Sequence, residues 1–267
     1  MPERIEVLVT VKAYPSASVK YGEAVCVAGI RTDTPQPSWV RLYPIEFRDL
    51  PIDKQFAKYE KVALDVIASS DGRPESRKPL ADTIRSLGKL STGKDRRWRE
   101  RWRYVEPLLV ESMCAAREAQ VTTGRSLAAF RPAEVQEVIA RPEEAWTDKQ
   151  LNTLSQMSLF AQDKQILKKI PWRFYYRYSC GGSCKGHEQS IIDWEIHEFY
   201  RKCQRQHGEQ EAVRLVRQRW LEVLCGPTRE TVFFVGNQHL HPASFLVLGV
   251  FWPPKPSGHG ENLQLGF

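Results

Sequence analysis

The chain has 267 residues, 42% of them hydrophobic and 27% charged, with a formal net charge of +7 at neutral pH. That length and mixture describe a globular protein of one large domain or two modest ones, and exclude a low-complexity or disordered chain. No apolar run approaches the roughly 18–20 residues that cross a bilayer. The opening MPERIEVLVT is charged where a signal peptide has its apolar core, so a cytoplasmic protein is expected. Thiols stay reduced in that compartment, and the six cysteines read as core residues or metal ligands rather than disulfides. The positive excess points to a polyanionic partner.

Residues 1–77 read as a β domain. In IEVLVTVKAY, Val7, Val9, Val11 and Ala13 alternate on one face, the pattern of a half-buried strand. EAVCVAGI is a continuous apolar run, as in a strand covered on both sides. PSWVRLYPI and YEKVALDVIAS complete the set, separated by turn residues. Short strands at this spacing predict a small barrel or sandwich. Trp39, Arg41 and Tyr43 share one face of their strand, opposite Val40 and Leu42. Alternating aromatic and basic side chains can form a stacking platform for single-stranded nucleic acid. Aromatics are also good strand formers that pack in cores.

Residues 78–125 read as a basic helical segment. Leu80, Ile84 and Leu87 step by four and three, and Trp98, Trp102, Val105, Leu109 and Met113 continue an apolar stripe. Pro107 kinks that helix or opens a second one. GKDRRWRERWR carries Lys94, Arg96, Arg97, Arg99, Arg101 and Arg103, the densest positive patch in the chain. It suits phosphate contact or simply a solvated helix face.

Residues 126–267 read as a mixed α/β domain. AEVQEVIA and WRFYYRYSC are strand-like. The latter sets Trp172, Phe174, Tyr176 and Tyr178 against Arg173, Tyr175 and Arg177 on its other face. Ile192, Ile196, Phe199, Tyr200 and Cys203 mark one helix, and Val213, Val216, Trp220 and Leu224 another. TVFFVG and SFLVLGVFW are strong strands around NQHLHPA, where His239 and His241 form a weak His-x-His signal. The tail from Pro253 is expected to fray.

Between these elements lies CGGSCKGH at positions 180–187. Zinc takes four ligands drawn from thiolate and imidazole, and a tight turn presenting two cysteines needs glycines. Cys180, Cys184 and His187 supply three ligands. The fourth is open: His197, Asp193 or Cys203, although Cys203 also falls on the apolar stripe. Three ligands plus water would be a catalytic site with Glu195 or Asp193 as base. Those acids equally suit the first turn of any helix, and the structural role is favoured. Walker, Gly-x-Gly-x-x-Gly, nucleophile-elbow and His-Glu-x-x-His motifs are missing, which argues against an ATPase or dehydrogenase.

KYGEAVCVAGI…WVRLYPIEFR, CKGHEQSIIDWE and FFVGNQHLHPASFLVLGVFWP resemble segments of a group of uncharacterised bacterial proteins. VCVAGI…WVR is also similar to the opening of proteins built from two oligonucleotide/oligosaccharide-binding (OB) barrels. The resemblance implies a nucleic-acid role and brings no catalytic residue with it.

The combined expectation is an α+β protein: an N-terminal OB-like barrel, a helical segment, and a mixed α/β domain with a zinc knuckle. Its partner is expected to be single-stranded DNA or RNA, held by Trp39, Arg41, Tyr43, Arg96, Arg97, Arg101, Arg173 and Arg177. The alternatives are a metal-dependent nuclease or other hydrolase using the Cys/Cys/His site, and a protein-interaction subunit of a larger complex.

Overall fold

Strand β1 (Glu3–Lys12) is buried along both faces, and this sets the architecture. Ile5, Val7 and Val9 join one core cluster while Leu8 and Val11 join another. The computed structural model describes residues 1–18, 22–94, 97–143 and 169–255. The expected frayed tail lies outside them from residue 256. A register shift between Val9 and Val11, where β1 meets β3 (Gly22–Arg31), breaks the simple alternation. A β-bulge reverses which face the following residues present, so Val11 does not share the face of Val7 and Val9 as its spacing suggested.

The N-terminal half is a closed five-stranded barrel. β1 pairs with β3 and with β5 (Glu60–Ala68), and β3 pairs with β4 (Ser38–Ile45). β4 meets β6 (Ser76–Lys89) in parallel, and β6 pairs with β5 to close the ring. A three-residue strand β2 (Ser16–Ser18) lengthens the edge of β3. Val7, Val9, Val27, Val40, Leu42, Leu64 and Val66 fill the interior. Residues 78–89 were expected to be helical and instead belong to the barrel strand Ser76–Lys89. Long-range pairing with β5 and β4 outweighs the i, i+4, i+7 spacing of Leu80, Ile84 and Leu87, since short periodicities are ambiguous between the two states. The barrel therefore runs past residue 77, as far as Lys89.

The helical segment begins later and is broken. Helix α1 (Arg99–Val105) gives way to a 3-10 turn at Glu106–Leu108 containing Pro107. Helix α2 (Met113–Thr123) starts afresh from Ser112, whose side chain accepts from the Ala115 N–H at 3.0 Å, and ends at Gly124.

The C-terminal half holds two three-stranded sheets. β7 (Leu127–Phe130), β11 (Val232–Asn237) and β12 (Phe245–Phe251) form one. β8 (Glu134–Pro142), β9 (Trp172–Ser179) and β10 (His187–Ser190) form the other. β7 runs on into β8 after three residues, and Ile191, just past β10, bridges Val247 of β12 in parallel. With β7 and β8 taken as one bent strand, the ring of neighbours is first, second, third, fifth, fourth, first. The N-terminal barrel has the same order, again with its third and fifth strands parallel. Helices α3 (Trp194–His207) and α4 (Glu209–Gln218) stand between the third and fourth strands of the second set, and α4 ends in a π-helical turn at Arg219–Val223. Their apolar faces (Ile196, Tyr200, Ala212, Val216) cover Phe174, Tyr176 and Phe233.

The two halves share a third core cluster. Leu8, Val11, Ala28 and Ile30 on the outside of the barrel pack against Leu127, Ala129, Phe234, Leu248 and Phe251. A backbone bond stitches the joint, from Tyr14 N–H to Ile192 O at 2.7 Å. Among the described residues no helix is long and apolar enough to cross a membrane.

Candidate metal centre and strand face

The β9–β10 hairpin turns through residues 180–186, with His187 paired opposite Tyr178. Gly181, Gly182 and Gly186 have φ of 79°, 57° and 90°. A Cβ is disfavoured in this left-handed region, which is why a turn that folds two sulfurs inward is built on glycine. The Cys184 N–H donates to Gly181 O at 3.2 Å, and the Gly186 N–H donates to Cys184 Sγ at 3.4 Å.

These residues converge with one that sequence spacing did not indicate. Cys114, in the first turn of α2, joins Cys180, Cys184 and His187, and the four ligand atoms lie within 4.8 Å of one another. His187 Nε2 is 3.2 Å from Cys184 Sγ and 3.5 Å from Cys114 Sγ. Sulfurs around a tetrahedral zinc would sit roughly 3.8 Å apart, given bonds of about 2.3 Å. The cluster could therefore hold a metal ion. Backbone N–H groups of the turn hold the Cys184 thiol below its ordinary pKa, and burial followed by the nearby Arg117 lowers His187. Both shifts favour the ligand forms, thiolate and neutral imidazole, whereas burial raises the Cys114 and Cys180 thiols.

The residues expected to complete the site are elsewhere. Asp193 caps α3, accepting from the Glu195 N–H at 3.1 Å, and is buried against Lys58, whose Nζ lies 2.8 Å away. Glu195 meets the same ammonium at 3.1 Å. Burial opposes the charge on Lys58, yet the two carboxylates together raise its pKa. His197 stacks on Tyr14 with ring centroids 3.9 Å apart, and its Nδ1 is 3.0 Å from Asp193 O. Cys203 is buried on the core face of α3. None of these belongs to the cluster. His239 and His241 are exposed in the β11–β12 loop and stand outside it too.

The expected nucleic-acid residues divide sharply. Trp39, Arg41 and Tyr43 do share a face, but that face is turned onto the C-terminal half. Trp39 meets Phe234 edge to face at 5.7 Å. Arg41 is buried, donating to Ser126 O at 3.0 Å and Ser126 Oγ at 3.2 Å. Tyr43 lines a cleft of about 510 Å³ at the joint, together with Arg173 and His197. Arg101 is buried as well, donating Nε and Nη2 to Leu90 O at 3.0 and 2.7 Å, with its guanidinium 4.1 Å over the Tyr59 ring. Arg41 thus joins the two halves and Arg101 packs within the N-terminal half, a correction to their expected place on a solvent face. Arg97 is exposed just before α1, and Arg96 lies outside the described residues.

Arg173 and Arg177 remain on a solvent face of β9, either side of Tyr175, while Phe174, Tyr176 and Tyr178 fill the core behind them. Arg177 pairs with Glu137 at 3.1 Å and Glu188 at 3.2 Å, and Arg173 pairs with Glu143. Arg141 of β8 lies 4.6 Å over the Tyr175 ring. The arginines of these pairs are about half exposed, so the net worth of each pair is small, about 0–1 kcal/mol.

Residues 110–265 match a family model described as "Domain of unknown function (DUF8757)", over more than half of the chain. The chain belongs to this family. Residues 3–107 match a second model, "Domain of unknown function (DUF8758)". The boundary between the two DUF matches falls at the Pro107 turn, between α1 and α2. No curated protein matches the chain. Among solved structures, a murine DNA-binding protein bound to double-stranded DNA aligns at a TM-score of 0.30 with 8% identity, covering 97% of this chain and 100% of that one.

Proposed function

We propose that this protein binds single-stranded nucleic acid, DNA or RNA, on the outer face of β9 and β10, with a structural zinc ion pinning the hairpin beneath that face. Both halves are read as OB-type barrels, which supports the reading because such barrels bind strands on their second and third strands. In the first half that face is consumed by the joint, through Trp39 and Arg41. In the second it faces solvent. The observation that carries the proposal is the row of exposed Arg173 and Arg177 flanking a half-buried Tyr175, with Arg141 over the tyrosine ring. A base has a ring to stack on, and phosphates have arginines held only by weak surface pairs.

The zinc is read as structural because four protein ligands leave no position for a reacting water. The hydrolase reading loses its bases, since Asp193 and Glu195 are held by Lys58 outside the ligand set. Zinc would join α2 to the hairpin and hold β9 rigid. Ultraviolet crosslinking of a bound single strand, followed by peptide mapping, tests the face. Adducts at Tyr175 are expected, and adducts confined to the N-terminal half would reject it.

A further inference from the structure

A cleft of about 690 Å³ opens between the two halves, walled by the turn before β5, the end of β6, α1, α3, the π-helical turn after α4, and β12. We propose that it binds one nucleotide unit, its base against the aromatic walls and its phosphate on Lys89 and Arg219. The inference goes beyond the strand-binding reading and does not depend on the β9 face.

Charge is the first argument. Lys12, Lys89, Arg101 and Arg219 all line the cleft, and none forms an ion pair among the described residues. Lys12 Nζ donates to Phe56 O at 3.0 Å, and Arg101 donates only to Leu90 O. Arg219 lies over the Phe199 ring at 5.1 Å. Of the two carboxylates in the wall, Glu195 pairs with Lys58 of the same cleft at 3.1 Å and Glu198 with Arg201 at 2.8 Å. Glu195 acts on Lys12, Arg101 and Arg219, yet with Lys58 and the exposed Lys89 the cations of the cleft outnumber its carboxylates, a balance that favours an anion.

Backbone strain is the second. Tyr59 and Trp98 are the only non-glycine residues with positive φ among the described residues, at 62° and 56°. Both wall this cleft, with ring centroids 5.9 Å apart. Large side chains enter the left-handed region at a cost that the surroundings must impose, and such residues cluster at ligand sites. The opposite wall carries Trp220 on a π-helical turn, a second irregularity that recurs at functional sites.

The third is unspent hydrogen-bonding capacity. The Tyr59 hydroxyl and the Trp220 indole N–H are buried without a partner, in residues only 7% and 2% exposed. Buried polar groups are normally satisfied, and both orphans belong to residues of this cleft's walls, where a side-chain rearrangement on binding would give them a partner. Aromatic walls alone would suit any apolar ligand, and cations alone any anion. Together they fit a flat ring carrying a phosphate, and the volume is that of a small-ligand site.

Tryptophan fluorescence tests this directly, because Trp98, Trp194, Trp220 and Trp252 line the cleft. The probes are adenosine and cytidine 5′-monophosphates, the parent nucleosides, inorganic phosphate, and oligonucleotides with and without a 5′-phosphate. A nucleotide should give a saturable change, with nucleoside and phosphate alone weaker by about tenfold or more. Lys89→Glu and Arg219→Glu, made separately, should each weaken binding by about tenfold while leaving the melting temperature unchanged. Binding of the mononucleotide identifies the free nucleotide as the source. Binding only of the 5′-phosphorylated oligonucleotide identifies a strand end. Either supports the site. No saturable change with any of these probes, or isotherms that neither charge reversal alters, overturns it. Oligonucleotides bound through Arg173 and Arg177 by a protein blind to nucleotides would overturn the cleft site and leave the strand face standing.

Discussion

Cys114 Sγ and His187 Nε2 stand 3.5 Å apart although 73 residues separate them in the chain. With the Gln189 amide donating to Met113 Sδ at 3.4 Å, this contact ties the start of α2 to β10. The first family match ends and the second begins just upstream, so the ion would fasten the opening of the C-terminal half to its own hairpin.

Cys114→Ser should therefore cost both metal and stability. The wild-type protein is expected to purify with zinc, and the variant without it. Structural zinc contributes on the order of 10 kcal/mol in small peptides. Loss of one ligand in a larger core should cost about 3 kcal/mol, or roughly 10 °C in Tm. Cys203→Ser, on the core face of α3 and outside the ligand cluster, should keep the metal. Elemental analysis and thermal melts check both, and equal zinc in wild type and Cys114→Ser would count against the site.

Lys58 and Asp193 should behave as a buried pair spanning the joint between the halves. Their side chains are only 6% and 3% exposed. Lys58→Met strands the Asp193 carboxylate in the core and should destabilise by about 3–5 kcal/mol. Adding Asp193→Asn removes the stranded charge and should restore part of that loss, a non-additivity read by urea unfolding of all four proteins. Simple additivity would show that the two groups are not coupled.

His197 should make the protein acid-sensitive below about pH 6.5, against Asp193, whose burial raises its pKa to about 6 and so favours the fold as pH falls. Burial, then the positive charges of Arg201 on its own helix and Arg173 on β9, lower its pKa to about 4, although the Asp193 carbonyl pulls the other way. Tyr14 covers the other ring face. Between that value and the unfolded value of 6.5 the unfolded chain binds the extra proton. Stability is then full above about pH 6.5 and declines as pH falls toward 4. At about 1.4 kcal/mol per unit the loss is on the order of 2–3 kcal/mol. His197→Phe, which keeps a ring against Tyr14, should flatten the decline in this window. An unchanged pH profile would assign the decline to other groups.

Much of the fold was legible in local pattern. The strands at 3–12, 22–31 and 38–45, the last two strands and both C-terminal helices announce themselves by alternation or by 3.6-residue spacing. Residues 76–89 did not, because Leu80, Ile84 and Leu87 satisfy a helical spacing that only the pairing with β5 and β4 overrules. The glycine-rich knuckle was legible because ligand spacing and turn chemistry lie within eight residues. Cys114 was not, since nothing local to it signals a ligand and the fold alone brings it to the others. Trp39, Arg41 and Arg101 misled for a related reason. Strand and helix periodicity says which residues share a face, and cannot say whether that face meets water or another packed element.

The most direct test of strand binding on β9 is fluorescence anisotropy of a labelled single strand across a salt series, with wild type and the Arg173→Glu/Arg177→Glu double variant. Three arginines on the face give an expected log–log salt slope of about −2. The double variant should bind about 100-fold more weakly at low salt with its melting temperature unchanged. Superimposable isotherms for the two proteins, or binding indifferent to salt, would contradict the account.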